Sequence, residues 1–245
     1  MPSPRVDQRK NEIRDYVWNL LDQHHAVLDE DVRGRIPNFI GAEEAAARLA
    51  DLSVWRDSSV IKAVPDKAQY PARVRALSEG KIVYMAVPRL AKQHPFYLLD
   101  PAALSVGPEV AATSSGAAEI APNVGVDELR PIDLVVCGSV AVNRDGVRLG
   151  KGAGYSDIEV ALLSEAGLIT EHTTIVTTVH PLQVVDDELP ETEHDFSVDV
   201  IVTRDEVITC GPARRPSGVI WDHLSPEKIA AIPVLAARAD GRGSN

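Results

Sequence analysis

Cysteine is almost absent from the 245-residue sequence, which contains only Cys137 and Cys210. Two cysteines are too few for a disulfide framework or for a zinc site built on thiolates. Long apolar runs are also absent, since no segment approaches the roughly 18 to 20 apolar residues that span a bilayer. Residues 1–5 lack the apolar core of a secretory signal. We therefore expect a cytoplasmic protein without membrane contacts.

Aromatic residues and clustered basic residues are sparse as well. Phe, Trp and Tyr make up 4% of the chain, which leaves few platforms for base stacking. The 25 basic and 36 acidic residues give a formal charge of −11, and the basic residues are scattered apart from Arg33/Arg35 and Arg214/Arg215. Because surfaces that follow a phosphate backbone need clustered Lys and Arg, we do not expect nucleic acid as the main partner.

Short apolar segments rich in Val and Ile alternate with segments whose apolar residues recur at helical spacing. This alternation predicts a mostly parallel sheet with helices on both faces, that is, a three-layer α/β/α sandwich. The apolar run 134–142 is typical of a strand buried on both faces of such a sheet. The predicted helices are 7–28, with Asp7 as its N-cap, 42–52, 70–78 and 156–165, and the predicted strands are 59–64, 81–87, 134–142, 173–179 and 198–203.

The chain is long enough for one sizeable domain and contains no internal repeat. Residues 100–123 are rich in Ala, Ser, Gly and Pro, and we interpret them as a surface excursion because strands and helices resume after them. We predict one domain over residues 7–210. The Arg-, Pro- and Ala-rich tail that follows, 211–245, is expected to be partly flexible.

The strongest local signal is the segment 148–157 (RLGKGAGYSD), which follows a buried strand and opens a helix. Its three alternating glycines allow the backbone to approach a ligand and to turn N–H groups toward an anion. The helix that begins near Tyr155 adds the positive end of its dipole. Arg148 and Lys151 supply positive charge, and Asp157 can hold a magnesium ion that a polyphosphate shares. The segment predicts a phosphate site.

Spacing alone leaves another interpretation of this segment open. Glycine-rich turns between a strand and a helix are common, and Asp157 in the first turn would also complement the helix dipole. The segment is not a Walker A loop, because no Gly-Lys-Ser/Thr ends it, and it does not match G-x-G-x-x-G.

Together with Asp145-Gly146, the segment resembles the signature of the 5-formyltetrahydrofolate cyclo-ligases, roughly G-x-R-L-G-x-G-x-G-Y-Y-D. Ser156 departs from it by replacing the second tyrosine. The segment 10–14 (KNEIR) resembles the family's K-x-x-L-R, and 194–199 (HDFSVD) resembles its final D-x-x-V-D. The segments 35–39, 65–67, 88–90, 138–142 and 179–186 are similar to a subgroup, the methenyltetrahydrofolate synthase domain-containing proteins.

The resemblance implies a ligase of one-carbon metabolism that uses ATP and Mg²⁺ and acts on a reduced folate. In the family, ATP phosphorylates the formyl oxygen of 5-formyltetrahydrofolate. Ring closure through N10 and loss of phosphate then give 5,10-methenyltetrahydrofolate and ADP. Such phosphoryl transfer depends on charge neutralisation and positioning more than on covalent help from the protein.

Carried over by position, the resemblance also assigns roles to single residues. Lys151 and Tyr155 are the implied catalytic residues, and with Ile61 and Asp66 they are the implied contacts to folate. The implied magnesium ligands are Asp157 and Asp195, and the implied nucleotide-binding residues are Lys10, Arg14, Arg148, Leu149, Gly150, Lys151, Gly152, Ala153, Gly154 and Tyr155.

Two departures from the family pattern leave alternatives open. Asp66 stands where the family usually has a glutamate that reads the folate, and Ser156 replaces a tyrosine. One alternative is a folate- or nucleotide-binding protein without cyclo-ligase activity. The other is an ATP-dependent ligase acting on another small acid, because one fold can host different acceptors. The roles of Arg35, Arg89 and His180 are left open by the sequence.

Overall fold

The computed structural model describes residues 4–242, which form nine helices and eleven strands joined by short 3₁₀ turns. The strands are β1 (Val60–Ala63), β2 (Ile82–Ala86), β3 (Phe96–Leu99), β4 (Asn123–Val124), β5 (Leu134–Cys137), β6 (Ala141–Asn143), β7 (Arg148–Leu149), β8 (Thr174–Thr178), β9 (Val184–Val185), β10 (Val200–Val202) and β11 (Val207–Thr209). The helices are α1 (Pro4–Gln23), α2 (Ala42–Ala50), α3 (Ser53–Arg56), α4 (Tyr70–Ser78), α5 (Pro108–Ala111), α6 (Ser114–Ile120), α7 (Tyr155–Glu165), α8 (Pro226–Ala231) and α9 (Pro233–Arg242).

The central sheet has eight strands in the order β11-β10-β8-β5-β1-β2-β3-β4. The five strands from β10 to β2 pair in parallel, whereas β11, β3 and β4 pair antiparallel at the two edges. Parallel strands are covered on both faces, and nearly all residues of these five strands are buried. The predicted mostly parallel sheet is confirmed. The antiparallel edge strands β3, β4 and β11 were not predicted.

Helices cover both faces of this sheet and create two apolar layers. One layer contains Leu49 of α2 and Leu77 of α4, together with residues of α5 and α6. The other contains Leu162 of α7, Ile232 and residues of α9. Successive strand side chains point to opposite faces, so Ile61 of β1 joins the first layer and Val60 joins the second. The predicted three-layer α/β/α sandwich is therefore confirmed.

The predicted strand 134–142 is in fact two strands in different sheets. β5 ends at Cys137, and β6 pairs with β7 and β9 in a separate three-stranded sheet that packs with α1. Gly138 lies at the break, where an added Cβ would come within 2.8 Å of Ile36. The prediction was wrong because every residue of the run is buried in one sheet or the other, and the apolar pattern therefore contains no signal for the switch.

Two other segments also differ from the sequence-based boundaries. α1 begins at Pro4 and ends at Gln23, so Asp7 lies inside its first turn rather than at an N-cap. The excursion 100–123 contains α5 and α6, whose Ala111 and Ala117 are buried against the first helix layer. Small side chains allow these short helices to pack closely although they lack a strong apolar pattern.

The segment after Pro212, expected to be partly flexible, contains α8 and α9 in its described part. Ile232 and Leu235 have no exposed surface and pack with α7. Near its start, this segment is hydrogen-bonded to the residues that precede β10, because Ser197 N donates to Arg214 O over 3.0 Å. The last three residues of the predicted tail, 243–245, lie outside the described residues, as do residues 1–3. None of the described helices has both the length and the hydropathy that crossing a membrane requires.

Candidate functional site

A pocket of about 400 Å³ lies between α1, the segment 148–157 and the turn that follows β1. We call residues 148–157 the glycine loop. The pocket brings together charged residues that are far apart in the sequence. Its lining consists of Asp7, Lys10, Asn11, Arg14, Ile36, Asp66, the glycine loop, His194 and Asp195.

Two cations of α1 form one wall of the pocket. Lys10 and Arg14 lie four residues apart and therefore on the same face of the helix. Both are buried, which is rare for Lys and Arg unless a partner compensates the charge. Lys10 Nζ donates to Asp195 Oδ2 over 2.5 Å. Arg14 Nε donates to Gly150 O over 2.7 Å and fixes the glycine loop to α1.

The Asp195 carboxylate is held ionised by several donors. Besides Lys10, the backbone N and the hydroxyl of Thr192 donate to Asp195 Oδ2 over 2.6 and 2.7 Å. Burial alone would raise the pKa of Asp195, but these hydrogen bonds outweigh it and lower the pKa below its usual value. Burial also lowers the pKa of Arg14, while the charges of Asp195 and Asp157 act in the opposite direction.

The glycine loop requires glycine at particular positions. Gly152 has φ of +92° and Gly154 has φ of +70°, both in the left-handed region that side chains disfavour. At Gly150, which has no positive φ, an added Cβ would lie 2.7 Å from Nη2 at the end of the Arg148 side chain, so that side chain would have to shift. Gly154 directly precedes α7, whose first N–H groups have no acceptor within the helix and form the positive end of its dipole. The loop and helix start therefore present N–H groups suited to an anion.

Arg148 is buried at the base of this loop. Its guanidinium lies 4.2 Å from the ring centre of Phe196, and Nη1 donates to Asp157 Oδ1 over 3.3 Å. Within the described part of the chain its Nε is buried without a hydrogen-bond partner. Arg148 thus keeps one N–H donor, at Nε, that no described residue uses.

Lys151 and Asp66 meet at the mouth of the pocket, where Lys151 Nζ donates to Asp66 Oδ1 over 3.1 Å. Asp66 is positioned by Arg73, a fully buried residue of α4. Arg73 Nη1 donates to Val64 O over 2.5 Å and to Asp66 O over 2.9 Å. Burial lowers the pKa of Arg73 to about 10, so the side chain remains charged near neutral pH. Arg73 therefore holds the backbone of the turn that carries Asp66.

All the residues with implied roles except Ile61 line this pocket. The Ile61 side chain is 1% exposed and packs in the layer between the sheet and α2, α4, α5 and α6. The reason is the alternation of side chains along β1, which directs Ile61 into the core. The structure therefore does not bring Ile61 to the pocket.

Lys228 is a pocket neighbour that the sequence analysis missed. Its Nζ donates to Ala153 O over 2.7 Å and lies 3.5 Å from the ring centre of Tyr155. Lys228 belongs to α8, in the segment interpreted as a tail. A signal was present, because Ser225 before Pro226 is a favourable N-cap followed by a favourable first residue, and Ser225 Oγ accepts from Lys228 N over 3.1 Å.

Three polar residues with open roles lie outside this pocket. His180 caps a 3₁₀ turn, since its Nδ1 accepts from Leu182 N over 3.1 Å and its N donates to Gln183 Oε1 over 2.8 Å. Burial lowers the pKa of His180. The Arg35 carbonyl accepts from Trp18 Nε1 over 3.1 Å. Arg89 is exposed, with φ of +60°.

Of the four aspartates that line the pocket, Asp157 and Asp195 are the two that the family resemblance assigns to a divalent cation, and Asp7 and Asp66 are the others. Asp157 and Asp195 each keep one oxygen that receives no hydrogen bond from a described residue, because the bonds fall on Asp157 Oδ1 and Asp195 Oδ2. Between residues 4 and 242 no cluster of three or more His, Cys, Asp or Glu side chains could hold a metal alone. Two carboxylates next to an anion site suit Mg²⁺, which commonly combines one or two carboxylates with phosphate oxygens and water.

Comparison with known proteins gives consistent matches. The model of the 5-formyltetrahydrofolate cyclo-ligase family matches residues 6–204. The chain is 40% identical over 233 residues to the methenyltetrahydrofolate synthase domain-containing protein of Mus musculus, covering 92% of this chain and 62% of the relative. Identity to the protein of the same name from Danio rerio is 39% over 234 residues, covering 93% and 61%.

The chain thus spans about three fifths of the length of these curated relatives. A solved structure, the NMR structure of Aquifex aeolicus 5,10-methenyltetrahydrofolate synthetase, aligns with a TM-score of 0.53 at 24% identity. The alignment covers 87% of this chain and 99% of that one, and it supports the fold. On the family match and the identity to these relatives, the chain belongs to the 5-formyltetrahydrofolate cyclo-ligase family.

Proposed function

We propose that this chain closes the ring of 5-formyltetrahydrofolate to 5,10-methenyltetrahydrofolate, with conversion of ATP to ADP and phosphate. The observation that carries the proposal is the meeting of three buried cations, Lys10, Arg14 and Arg148, with the glycine loop in one pocket. Family membership supports the same reaction class. The reaction needs a phosphoryl donor site next to a folate site, and the two ends of this pocket can serve as these sites.

The phosphates of ATP would bind at the glycine loop and the α1 cations. Lys10 and Arg14 neutralise negative charge from the helix side, and the loop N–H groups donate from the other side. The unpartnered Arg148 Nε is a further donor for an anion in this pocket. Because phosphoryl transfer is accelerated mainly by positioning and by stabilising charge, this donor set suffices without a covalent intermediate on the protein.

The folate would bind at the Lys151–Asp66 end of the pocket. Asp66 is fixed by Arg73 and can accept hydrogen bonds from the N–H groups of the pterin ring. Lys151 Nζ, now bonded to Asp66, would turn to the oxygen that receives the phosphoryl group. The Lys151 side chain is 40% exposed and therefore free enough to exchange one partner for the other. Tyr155, at the start of α7, would orient the same acceptor.

Asp157 and Asp195 would hold Mg²⁺ through the oxygens that Arg148 and Lys10 leave unbonded. When bound, the ion would neutralise phosphate charge.

Composition further leads us to propose that the reaction is cytoplasmic and involves no nucleic acid. Few cysteines and scattered basic residues support these two points.

The test compares Lys151→Ala with Lys92→Ala in the presence of 5-formyltetrahydrofolate and magnesium-ATP. Lys92 is an exposed lysine outside the pocket and serves as the matched control. The near-ultraviolet absorbance of the methenyl product reports turnover. We expect turnover in the wild type and in Lys92→Ala, and none in a folded Lys151→Ala. Unchanged turnover in Lys151→Ala would contradict the role of Lys151.

The substitution of the family's glutamate by Asp66 favours a second candidate, a protein that binds folate or nucleotide without closing the ring. Calorimetry distinguishes it from the first. Binding of ATP and 5-formyltetrahydrofolate with no methenyl product would establish this alternative. ATP consumption with another small acid, and none with 5-formyltetrahydrofolate, would instead identify a ligase with a different acceptor.

A further inference from the structure

Lys228 approaches the glycine loop from a part of the chain that the family match does not include. It belongs to α8, whereas the match ends at residue 204. Its Nζ donates to Ala153 O over 2.7 Å and lies 3.5 Å from the ring centre of Tyr155. Lys228 itself does not line the pocket, although both of its partners do. Lys228 can therefore act on a bound ligand through these two residues.

The hydrogen bond to Ala153 O fixes the orientation of one peptide group in the loop. In a trans peptide group the C=O and the following N–H point in opposite directions, so Gly154 N–H points away from Lys228. Because glycine accepts φ of either sign at little cost, Gly154 by itself does not prevent this peptide group from turning over. The bond from Lys228 opposes that rotation and leaves the N–H available to an anion in the pocket.

The contact with Tyr155 holds the first residue of α7. An ammonium group is attracted to the face of an aromatic ring, and the attraction is stronger where the two groups are partly removed from water. Lys228 and Tyr155 are both half-buried. Lys228 thus contacts the residues on both sides of Gly154, where the glycine loop becomes a helix.

The segment that carries Lys228 is itself packed against α7. Ser225 Oγ accepts from Lys228 N over 3.1 Å at the start of α8. Ile232, which follows α8, has no exposed surface and packs in the apolar layer that contains α7. Val219 N donates to Glu165 Oε2 over 3.2 Å at the last residue of α7. Lys228 is therefore held on the same helix whose first turn it contacts.

We propose that Lys228 is a positioning residue of the phosphate site. It holds the peptide group between Ala153 and Gly154, and the ring of Tyr155, in the orientation that binds the phosphates of ATP. This inference rests on the proposed use of ATP and deepens it. Without Lys228 the peptide group has to be reoriented when the anion binds, and the affinity for the anion falls. The segment after residue 204 is then part of the site and not only of the fold.

The test measures the binding of inorganic tripolyphosphate and of magnesium-ATP by calorimetry, without folate, in the wild type and in Lys228→Met. Methionine keeps an unbranched apolar side chain but has neither the charge nor the donor. We expect both ligands to bind about tenfold more weakly to folded Lys228→Met, because a charge-assisted hydrogen bond to the loop is lost. Lys228→Arg keeps donors and a cation that stacks on aromatic rings, and we expect its affinities within about threefold of the wild type.

Lys92→Met is the matched control. Lys92 Nζ makes the same two kinds of contact away from the pocket, a hydrogen bond of 2.7 Å to Asn123 Oδ1 and a contact of 5.4 Å with the ring centre of Tyr97. We expect the affinities of Lys92→Met for both ligands to equal those of the wild type. Urea denaturation of the same variants separates an effect on stability from an effect on binding.

An unchanged tripolyphosphate affinity in folded Lys228→Met, even with a loss of stability, would overturn the role of Lys228. A loss of affinity that disappears in about 0.5 M KCl would also overturn it, because salt screens a distant charge but does not restore a loop conformation. Should Lys228→Met fail to fold, Lys228→Gln decides in its place, because its amide ends one bond short of Nζ and the same loss is expected. A wild type that binds neither ligand would overturn the proposed use of ATP as well, so the two failures are distinguishable.

Discussion

Lys62 of β1 and Glu159 of α7 form an ion pair inside the protein, with side chains that are 1% and 5% exposed. Glu159 lies one turn after the start of α7, the helix that follows the glycine loop. The pair therefore bonds the central strand of the sheet to the helix that presents the phosphate site. The sequence contained a signal for it, because Lys62 is the one polar residue of β1, VIKA.

Removing one partner of this pair should destabilise the fold strongly. In Lys62→Met the Glu159 carboxylate is left buried and unpaired, and we expect a loss of about 3–5 kcal/mol in the free energy of unfolding. Urea denaturation measures this loss. In the double variant Lys62→Met/Glu159→Leu both charges are gone, and we expect most of the stability to return. A single variant that loses less than about 1 kcal/mol would contradict this account.

The lowered pKa of Asp195 predicts a pH dependence of stability. A carboxyl whose pKa is lower in the folded state stabilises the protein above its unfolded value of about 3.9, and the stabilisation is lost as the pH falls through the folded value. Asp195→Asn removes this contribution. We expect the stability difference between the wild type and Asp195→Asn to be constant near neutral pH and to shrink below about pH 4. A difference that grows on acidification would contradict the assigned direction.

Gly152 should be intolerant of a side chain. Gly152→Ala forces a residue with a Cβ to adopt φ of +92° beside Arg14, and we expect a loss of about 1 kcal/mol in stability with weaker binding of tripolyphosphate. Gly211→Ala is the control, because Gly211 has no atom within 4 Å of an added Cβ and no positive φ. Equal phosphate affinity in the two variants would show that the loop conformation is not required for the anion.

Asp66 should act on folate and not on nucleotide. Asp66→Ala removes hydrogen bonds to the pterin, and we expect kcat/KM for 5-formyltetrahydrofolate to fall about 10- to 100-fold, equivalent to about 1–3 kcal/mol. ATP affinity, measured by calorimetry, should remain unchanged. Asp66→Glu introduces the residue usual in the family and should retain activity. A loss of ATP affinity in Asp66→Ala as large as the loss in kcat/KM would contradict a folate-specific role.

Much of the sheet could be predicted from the sequence because parallel, doubly covered strands leave continuous apolar runs rich in Val, as in β5 and β10. The break at Gly138 could not, because residues on both sides are equally buried. Edge strands such as β4 are too short to show a pattern, with only two residues. Local sequence therefore identified the interior of the sheet and missed its ends and its switch points.

The candidate site shows a similar division. The glycine loop is a local pattern and was found from its residues. The pairing of the other pocket residues depends on the fold. Lys10 meets Asp195 across 185 positions, and only the resemblance to a family linked these two residues beforehand. Lys228 lies in a segment that was interpreted as a tail because it is rich in Ala, Pro and Arg, although it contains the capped helix α8.

The central claim is that folate ring closure and ATP cleavage are one coupled reaction in this pocket. The most direct measurement follows ADP and the methenyl product together, in one mixture of the protein with 5-formyltetrahydrofolate and magnesium-ATP. We expect one ADP for each ring closed and no methenyl product without ATP. Methenyl product that forms without ATP, or ADP that forms without methenyl product, would contradict the claim.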